Sequence, residues 1–511
     1  MALIEIGSTK QLFIDDFLIE SMTNTEPRLN PALKVDNNPV LKPERPWEGN
    51  AVRMGGALSR GVFFDEEESL FKMFYEGIKP EPRVVDGQVV SIEARPAIPC
   101  LATSKDGINW DRPSLGLVEY DGSTDNNIVP DDRYLHYLFY DSHEDDPARR
   151  FKGFKRTGDT QTPGMTIDLF FSPNGLDWTP YEGNPVIDTR PRYGRWGPTM
   201  FMGWDEIRQV YAVHMENALH RRSAIGKRMI GRSESPDLYE WTDPETIIVP
   251  DSRDASDTEF YAMPAITYEG WYVGMLWVYH TTSTTHYPEV VFSRDGVHYQ
   301  RNFRQPFIQR GDRRVDFDFN SIYAGVPIVH GDMIHTYYHG INWRSPEAQL
   351  ELGEKAMGAI GLAVTPIDGF VSLDGAKGVP TDVGTNSPTD SIEALYKERS
   401  DRVSEHAWRA SFSQVITRSF SFTGSQLFLN VVAALQGGSS SGPCEVRVQF
   451  LSPNHEPLEG YGFDDADPIT ASDHRHLVSW NGNSDIGRLA GQAIKLRLYF
   501  KNCKLYSFQF R

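Results

Sequence analysis

The same short phrase recurs five times in this chain. It reads Ser104-Lys-Asp-Gly-Ile-Asn-Trp110, Ser172-Pro-Asn-Gly-Leu-Asp-Trp178, Ser233-Glu-Ser-Pro-Asp-Leu-Tyr-Glu-Trp241 and Ser293-Arg-Asp-Gly-Val-His-Tyr299, with a decayed copy at Thr365-Pro-Ile-Asp-Gly-Phe370. Their first residues lie 68, 61, 60 and 72 positions apart. Each copy follows a short apolar stretch and sets a turn, usually Asp-Gly or Asn-Gly, before an aromatic residue. That pattern is a hairpin between two strands. Short strands repeating at this period predict radially arranged sheets, and five copies predict five blades. Within each hairpin the Asp caps the turn, the Gly takes positive φ and the aromatic packs between neighbouring blades. The phrase therefore reports fold and says little about chemistry.

At 511 residues the chain exceeds one ordinary domain. The expected fold is all-β: a five-bladed β-propeller over residues 1–374, a linker with a short helix over 375–414, and a C-terminal β-sandwich over 415–511. The linker is rich in Gly, Pro, Thr and Ser. Beyond it the strands alternate and lack the hairpin phrase. The stretch KQLFIDDFLIE (10–20) reads as a strand that closes the propeller by pairing with its last blade.

The net charge of −19, from 51 basic against 70 acidic residues, argues against a nucleic-acid partner, which needs a basic footprint. Cys100, Cys444 and Cys503 form neither a disulfide framework nor a zinc spacing. No basic leader and no apolar run of membrane-spanning length is visible, so a soluble cytoplasmic protein without membrane contact is expected.

Longer stretches carry a resemblance. LFIDDFLIES (12–21), NPVLKPERPWEG (38–49), LFKMFYEG (70–77), CLATSKDGINWDRPSLGLVEYDGSTDNNIV (100–129), LFLNV (427–431) and LAGQAIKLRLYFKNCKLYSFQF (489–510) make the chain similar to a bacterial family that resembles the N-terminal domain of glycoside hydrolase family 32. The resemblance covers nearly the whole chain. It implies a five-bladed propeller with a C-terminal β-sandwich, as in invertase-like and arabinanase-like enzymes. The Asn-Asp-Pro-Asn-Gly, Arg-Asp-Pro and Glu-Cys signatures of invertase-like enzymes are absent, so no catalytic residue carries over.

Sugar cleavage needs two carboxyl groups across the glycosidic bond. In a propeller they belong near the innermost strand of each blade. The candidates are Glu48, beside Trp47 and near Arg53; Glu259, at the start of an apolar strand pair and near Tyr261; and Asp318. Asp316, Asp318 and Asn320 alternate, which would set them on one strand face. Asp15 and Asp16 interrupt an apolar strand, where one of the two would face inward. His136, Arg195, Trp196, Tyr261 and Asn320 join Trp47 and Arg53 as candidate substrate-binding residues. Each has a plainer reading as a turn, core or solvated residue.

Arginines cluster at Arg190, Arg192 and Arg195, at Arg221, Arg222 and Arg228, and at Arg310, Arg313 and Arg314. Gathered at one channel end they would hold an anionic sugar. His214, His280, His286, His335 and His339 show no metal-ligand spacing. No cofactor is expected, and a channel cation such as calcium stays open. The leading expectation is an exo-type glycoside hydrolase acting on oligosaccharides, with Glu259 as proton donor. The alternatives are a non-catalytic carbohydrate-binding protein, a glycoside phosphorylase or transglycosylase, and an interaction platform. A homo-oligomer stays open.

Overall fold

The computed structural model describes residues 3–54, 61–78, 81–85, 88–93, 97–130, 135, 137–157, 166–188, 199–216, 226–343, 352, 357–375, 412–433 and 444–511, with 81–85 and 88–93 as backbone only. Among them the regular structure is almost entirely strand. No helix among them is long and apolar enough to cross a membrane.

The chain divides into two compact units, Pro31–Thr365 and Met1–Asn30 with Pro366–Arg511. This division differs from the boundaries expected at 374 and 415, and backbone pairing explains why. Ile4–Gly7 pairs with Phe420–Phe422, and Ile19–Thr23 with Ser413–Thr417. Pro27–Leu29 pairs with Val371–Asp374, and Gln11–Leu12 with Cys503–Phe510. The first 30 residues thus supply strands to the C-terminal part. Stretch 10–20 closes no sheet of the larger unit; it holds two strand ends separated by a turn. The expected helix at 390–399 lies outside the described residues.

The larger unit is a run of antiparallel groups with up-and-down order. The first contains Ala51–Met54 and Val62–Asp65, both paired with Leu70–Ile78, and then Ala97–Ser104. The second contains Tyr137–Tyr140, Phe151–Thr157 and Thr166–Ser172. The third contains Thr199–Asp205, Val210–Glu216, Ile230–Ser235 and Glu245–Ile248. The fourth pairs Thr258–Phe260 and Ala265–Tyr268 with Trp271–His280, followed by Thr285–Ser293. The fifth contains Ser321–Ala324, Ile328–His330, Met333–Ile341 and Gly358–Pro366. Its outer partner comes from the start of the unit: Leu33–Lys34 pairs with Val364 and Ala363, and Leu41 bridges Ile360. Single parallel bridges, His286 to Ser321 and Gly358 to Ala51, join the fourth group to the fifth and the fifth to the first.

The hairpin phrase folds as its chemistry requires. Ser104 Oγ accepts the N–H groups of Asp106 and Gly107, while Asp106 Oδ1 accepts those of Ile108 and Asn109. The same bonds recur around Ser172 with Asn174 and Ser293 with Asp295. In the third copy the serine in this role is Ser235, not Ser233, and Leu238 fills the glycine position at φ 74°. The aromatics pack across groups. Trp110 meets Tyr337 of the fifth group edge-on at 5.7 Å, and Trp178 packs with Phe63, Phe74 and Leu101 of the first. Trp241 meets Phe201 of its own group edge-on at 5.8 Å, in a cluster that the second and third groups share, and Tyr299 packs against Met202 and Ala212 of the third.

The smaller unit has two main sheets whose apolar side chains share one cluster, including Phe13, Val415, Phe420, Leu429, Val446, Phe450, Trp480 and Phe508.

Candidate functional site

Polar side chains of the larger unit converge where the first strands of its groups begin and the second strands end. Glu259 lies on Thr258–Phe260, opposite Tyr279 in the antiparallel register. Arg228 precedes the strand Ile230–Ser235, and its carbonyl accepts the N–H of Phe260 at 3.1 Å. That backbone bond sets the guanidinium beside Glu259, with which Nη1 forms an ion pair. Glu216, the last residue of Val210–Glu216, lies 3.5 Å from Arg228 Nε through Oε2. One guanidinium therefore serves two carboxylates. Its carbon also lies 5.4 Å from the centre of the Tyr261 ring and 5.5 Å from that of Tyr279, within cation–π range. The Arg228 side chain keeps its proton more firmly than usual: burial opposes the charge, but contact with Glu259 and the field of Glu216 outweigh it.

An aromatic wall continues from this cluster. His286 stacks on Tyr279 with ring centres 4.3 Å apart, and its Nδ1 lies 3.1 Å from the Tyr323 hydroxyl. Tyr323 stacks on His339 at 5.7 Å. Burial, reinforced by Arg228 and then His280, pushes the His286 imidazole down to about 3. Burial and Arg53 do the same to His339. Both rings are thus neutral at physiological pH, and Nε2 of each is buried without a hydrogen-bond partner. Arg53 faces Glu76 across the Ala51–Met54 and Leu70–Ile78 pairing and forms an ion pair with it. The arrangement offers carboxyl groups for proton transfer or nucleophilic attack, and aromatic faces on which a flat apolar surface can stack.

The structure brings together Glu259, Tyr261 and Arg53 from the residues expected at a site. It places others elsewhere. Glu48 is fully buried on the turn Pro46–Glu48. It accepts the N–H groups of Glu44 and Arg45, the Tyr75 hydroxyl and Arg112 Nε at 2.6–2.9 Å. Trp47 is half-buried, donates to Asn127 Oδ1 and meets Tyr120 edge-on.

Residues 311–320 form turns, so the expected strand-face alternation does not exist. Asp316 pairs with Arg313 at the surface. Asp318 is buried against Lys34 at 2.6 Å and the Tyr338 hydroxyl at 2.8 Å. Asn320 donates to the Thr284 carbonyl and to Ser321 Oγ. Asp15 and Asp16 sit in the turn of the smaller unit. Asp15 caps it through the N–H of Phe17, and Asp16 is exposed, so neither is the inward-facing strand carboxylate expected.

His136, Arg195 and Trp196 lie outside the described residues, as do Arg190, Arg192, Arg221 and Arg222. Among the described residues, no group of three or more His, Cys, Asp or Glu could hold a metal ion.

The sequence reading missed Glu216 and Glu76, and met Arg228 only as part of a basic cluster. A usable signal existed. Each of the two glutamates ends or nearly ends the second strand of its group, in VYAVHME and LFKMFYEG, where every other residue is apolar or small apart from one Lys or His.

No family model matches the chain, and no curated protein matches it. Three of the solved structures that resemble this chain illustrate the likeness. One described as a glycoside hydrolase shares 13% identity at a TM-score of 0.44, over 66% of this chain and 92% of that one. A β-1,2-mannobiose phosphorylase from Listeria innocua shares 13% identity at 0.45, over 66% of this chain and 97% of that one. A glycosyl hydrolase from Bacteroides ovatus shares 14% identity at 0.40, over 66% and 94%. None of the three is a family 32 enzyme by its description, and likenesses this loose do not decide the chemistry of the cluster.

Proposed function

We propose that the chain is a carbohydrate-active enzyme, an exo-type glycoside hydrolase of oligosaccharides, whose site is the cluster around Arg228. The observation that carries this reading is the pair of carboxylates, Glu216 and Glu259, on one guanidinium beside the faces of Tyr261 and Tyr279. Glycosidic cleavage uses two carboxyl groups about 5 to 9.5 Å apart, and groups sharing one guanidinium fall within the upper limit. Tyrosine faces suit the apolar side of a sugar ring. Glu216 thus takes the place that the sequence reading gave to Glu48, Asp15 or Asp16.

The fold in this reading is a five-bladed β-propeller followed by a β-sandwich, which agrees with the resemblance to the family 32 N-terminal domain. Two features support it. Trp178 and Tyr299 pack on the preceding group, and Trp110 returns to the fifth. Leu33–Lys34 supplies the outer strand of that last group.

The test is mass spectrometry of products from a broad oligosaccharide panel, with and without phosphate, using wild-type, Glu259→Gln and Glu216→Gln proteins. Release of free sugar, abolished in both variants, is expected. Phosphate-dependent sugar phosphate would move the assignment to phosphorolysis. Binding without turnover would make the protein a carbohydrate-binding module.

A further inference from the structure

We propose that His286 and His339 bind the hydroxyl groups of an uncharged sugar, and that with Tyr323 between them they form one wall of the site. This rests on the reading of the Arg228 cluster as a carbohydrate site.

The three rings come from successive strands of the fourth and fifth groups. His286 lies on Thr285–Ser293, Tyr323 on Ser321–Ala324 and His339 on Met333–Ile341. The bridge from His286 to Ser321 aligns the first two strands, and the antiparallel register sets Tyr323 opposite His339. Tyr323 thus stands 4.7 Å from the His286 ring centre and 5.7 Å from that of His339. Tyr261, Tyr279 and Tyr323 are half-buried, so the wall has a side that reaches solvent. The histidines are set deeper, at 6% and 9% exposure. Both are neutral, and the guanidinium groups of Arg228 and Arg53 that border them are paired with glutamates. Such a wall meets a ligand with dipoles and ring faces, which suits an uncharged sugar.

Each histidine buries a nitrogen that bonds nothing: Nε2 of His286 and Nε2 of His339. Nearly all buried polar atoms have a partner, and one left without forfeits the hydrogen bond that water gave it. A ligand oxygen restores that bond.

For His286 the surrounding bonds assign the proton. Ser321 Oγ accepts the backbone N–H of His286 at 3.1 Å and Asn320 Nδ2 at 2.9 Å, which fills both its lone pairs. Its own proton and that of the Tyr323 hydroxyl are left with His286 Nδ1 as acceptor, at 3.4 and 3.1 Å. A neutral imidazole that accepts at Nδ1 carries its proton on Nε2. His286 therefore offers an N–H.

For His339 the surroundings give a direction. A Cβ on Gly358 would stand 3.6 Å from Nε2, 3.0 Å from Ala51 Cβ and 2.9 Å from Trp343 Cη2. The nitrogen thus faces a notch that glycine keeps clear, beside the half-buried indole of Trp343. An aromatic face next to a hydrogen-bonding nitrogen is what a sugar ring requires.

A nitrogen kept for a ligand weakens the free protein. Phenylalanine at 339 would keep the stacking on Tyr323 and take away Nε2, which bonds nothing in the free state. The experiment measures the urea midpoint of wild type and His339→Phe, and their binding of cellobiose, mannobiose, galactobiose, sucrose and digalacturonate by ligand-observed NMR. His339→Phe is expected to hold or raise the midpoint while binding the neutral disaccharide about tenfold more weakly. Wild-type affinity in His339→Phe would overturn the role of the histidines alone. Preference for digalacturonate would overturn the uncharged class alone. No binding of any of the five by wild type would remove the carbohydrate reading and this proposal together. Should His339→Phe fail to fold, wild type with isotope-labelled histidine decides. The Nε2 resonances of His286 and His339 are expected to shift on saturation with the bound disaccharide, and an unmoved histidine spectrum would overturn the proposal.

Discussion

Glu48 shows how a buried carboxylate can be engaged by the fold alone. Both its oxygens are occupied by backbone N–H groups, Tyr75 and Arg112, and Arg112 is itself nearly buried. Removing one partner of such a pair costs about 3–5 kcal/mol. Glu44, which also contacts Arg112, holds the loss to the lower end. Glu48→Gln is thus expected to lose about 3 kcal/mol in urea unfolding while the folded protein keeps the wild-type value of the turnover proposed for it. A collapse of kcat in folded protein would return Glu48 to the chemistry. Leu238 poses an opposite question, because it holds the left-handed backbone that glycine holds in three sister hairpins. Relief of that strain is worth about 1–2 kcal/mol. Yet Leu238 is 2% exposed within a core of aromatics, and losing a buried leucine costs about 2–5 kcal/mol. The packing term wins, so Leu238→Gly is expected to lower the unfolding midpoint.

At the scale of elements, three of the larger unit's first strands end in the same device. Asp65, Asp141 and Asp205 each cap the turn that follows and pair with a buried cation, Lys72, Lys152 and Arg232 respectively. Tyr211 and Tyr272, each from the next group, donate to Asp141 and Asp205. These aspartates therefore tie neighbouring sheets together. Asp205→Asn is expected to cost about 3 kcal/mol, because of the two carboxylates paired with it Arg232 then keeps Glu234. A loss no larger than that of an exposed aspartate would show the pair to be incidental. What the sequence made legible follows from locality. The hairpins close within a few residues, so Ser, Asp and Gly spell them directly. The strand groups were legible for the same reason. Glu216 and Arg228 meet across one antiparallel pairing, but Glu259 joins them from a strand of the next group, and no spacing records that. Asp316–Asn320 misled because alternation was read into a segment where Gly311, Asp316 and Arg313 make turns. Asp15 and Asp16 misled because a turn joins two short strand ends within one apolar stretch.

For the whole molecule, acid stability turns on which ionisations dominate. A chain with a net charge of −19 and a sequence pI near 5.2 loses self-repulsion as pH falls toward that point, which favours folding. Surface repulsion is screened by salt, so this gain is small at physiological ionic strength. His214, His286 and His339 act in the other direction. Burial holds each imidazole down to about 3, helped by Arg232, Arg228 and Arg53 respectively. The unfolded chain takes up those protons near pH 6.5, while the folded chain refuses them. Their contribution is thus fully present above about 6.5 and lost at about 1.4 kcal/mol per pH unit for each histidine as pH falls toward the folded value. Asp251, drawn down to about 2 by Arg304 and by the N–H of Arg253, adds a loss between its unfolded value and 2. Glu289, which burial raises despite Arg301, offsets only part of this. Three buried histidines outweigh one buried glutamate and a screened surface. The urea midpoint at physiological salt is therefore expected to be level from pH 8 to about 6.5 and to fall steeply below it, where a surface-charge account requires a rise toward the pI. His286→Gln should make the decline shallower without shifting its onset. A midpoint that climbs between pH 6.5 and 5.2 would mean that self-repulsion, not the neutral imidazoles of the core, governs how this protein meets acid.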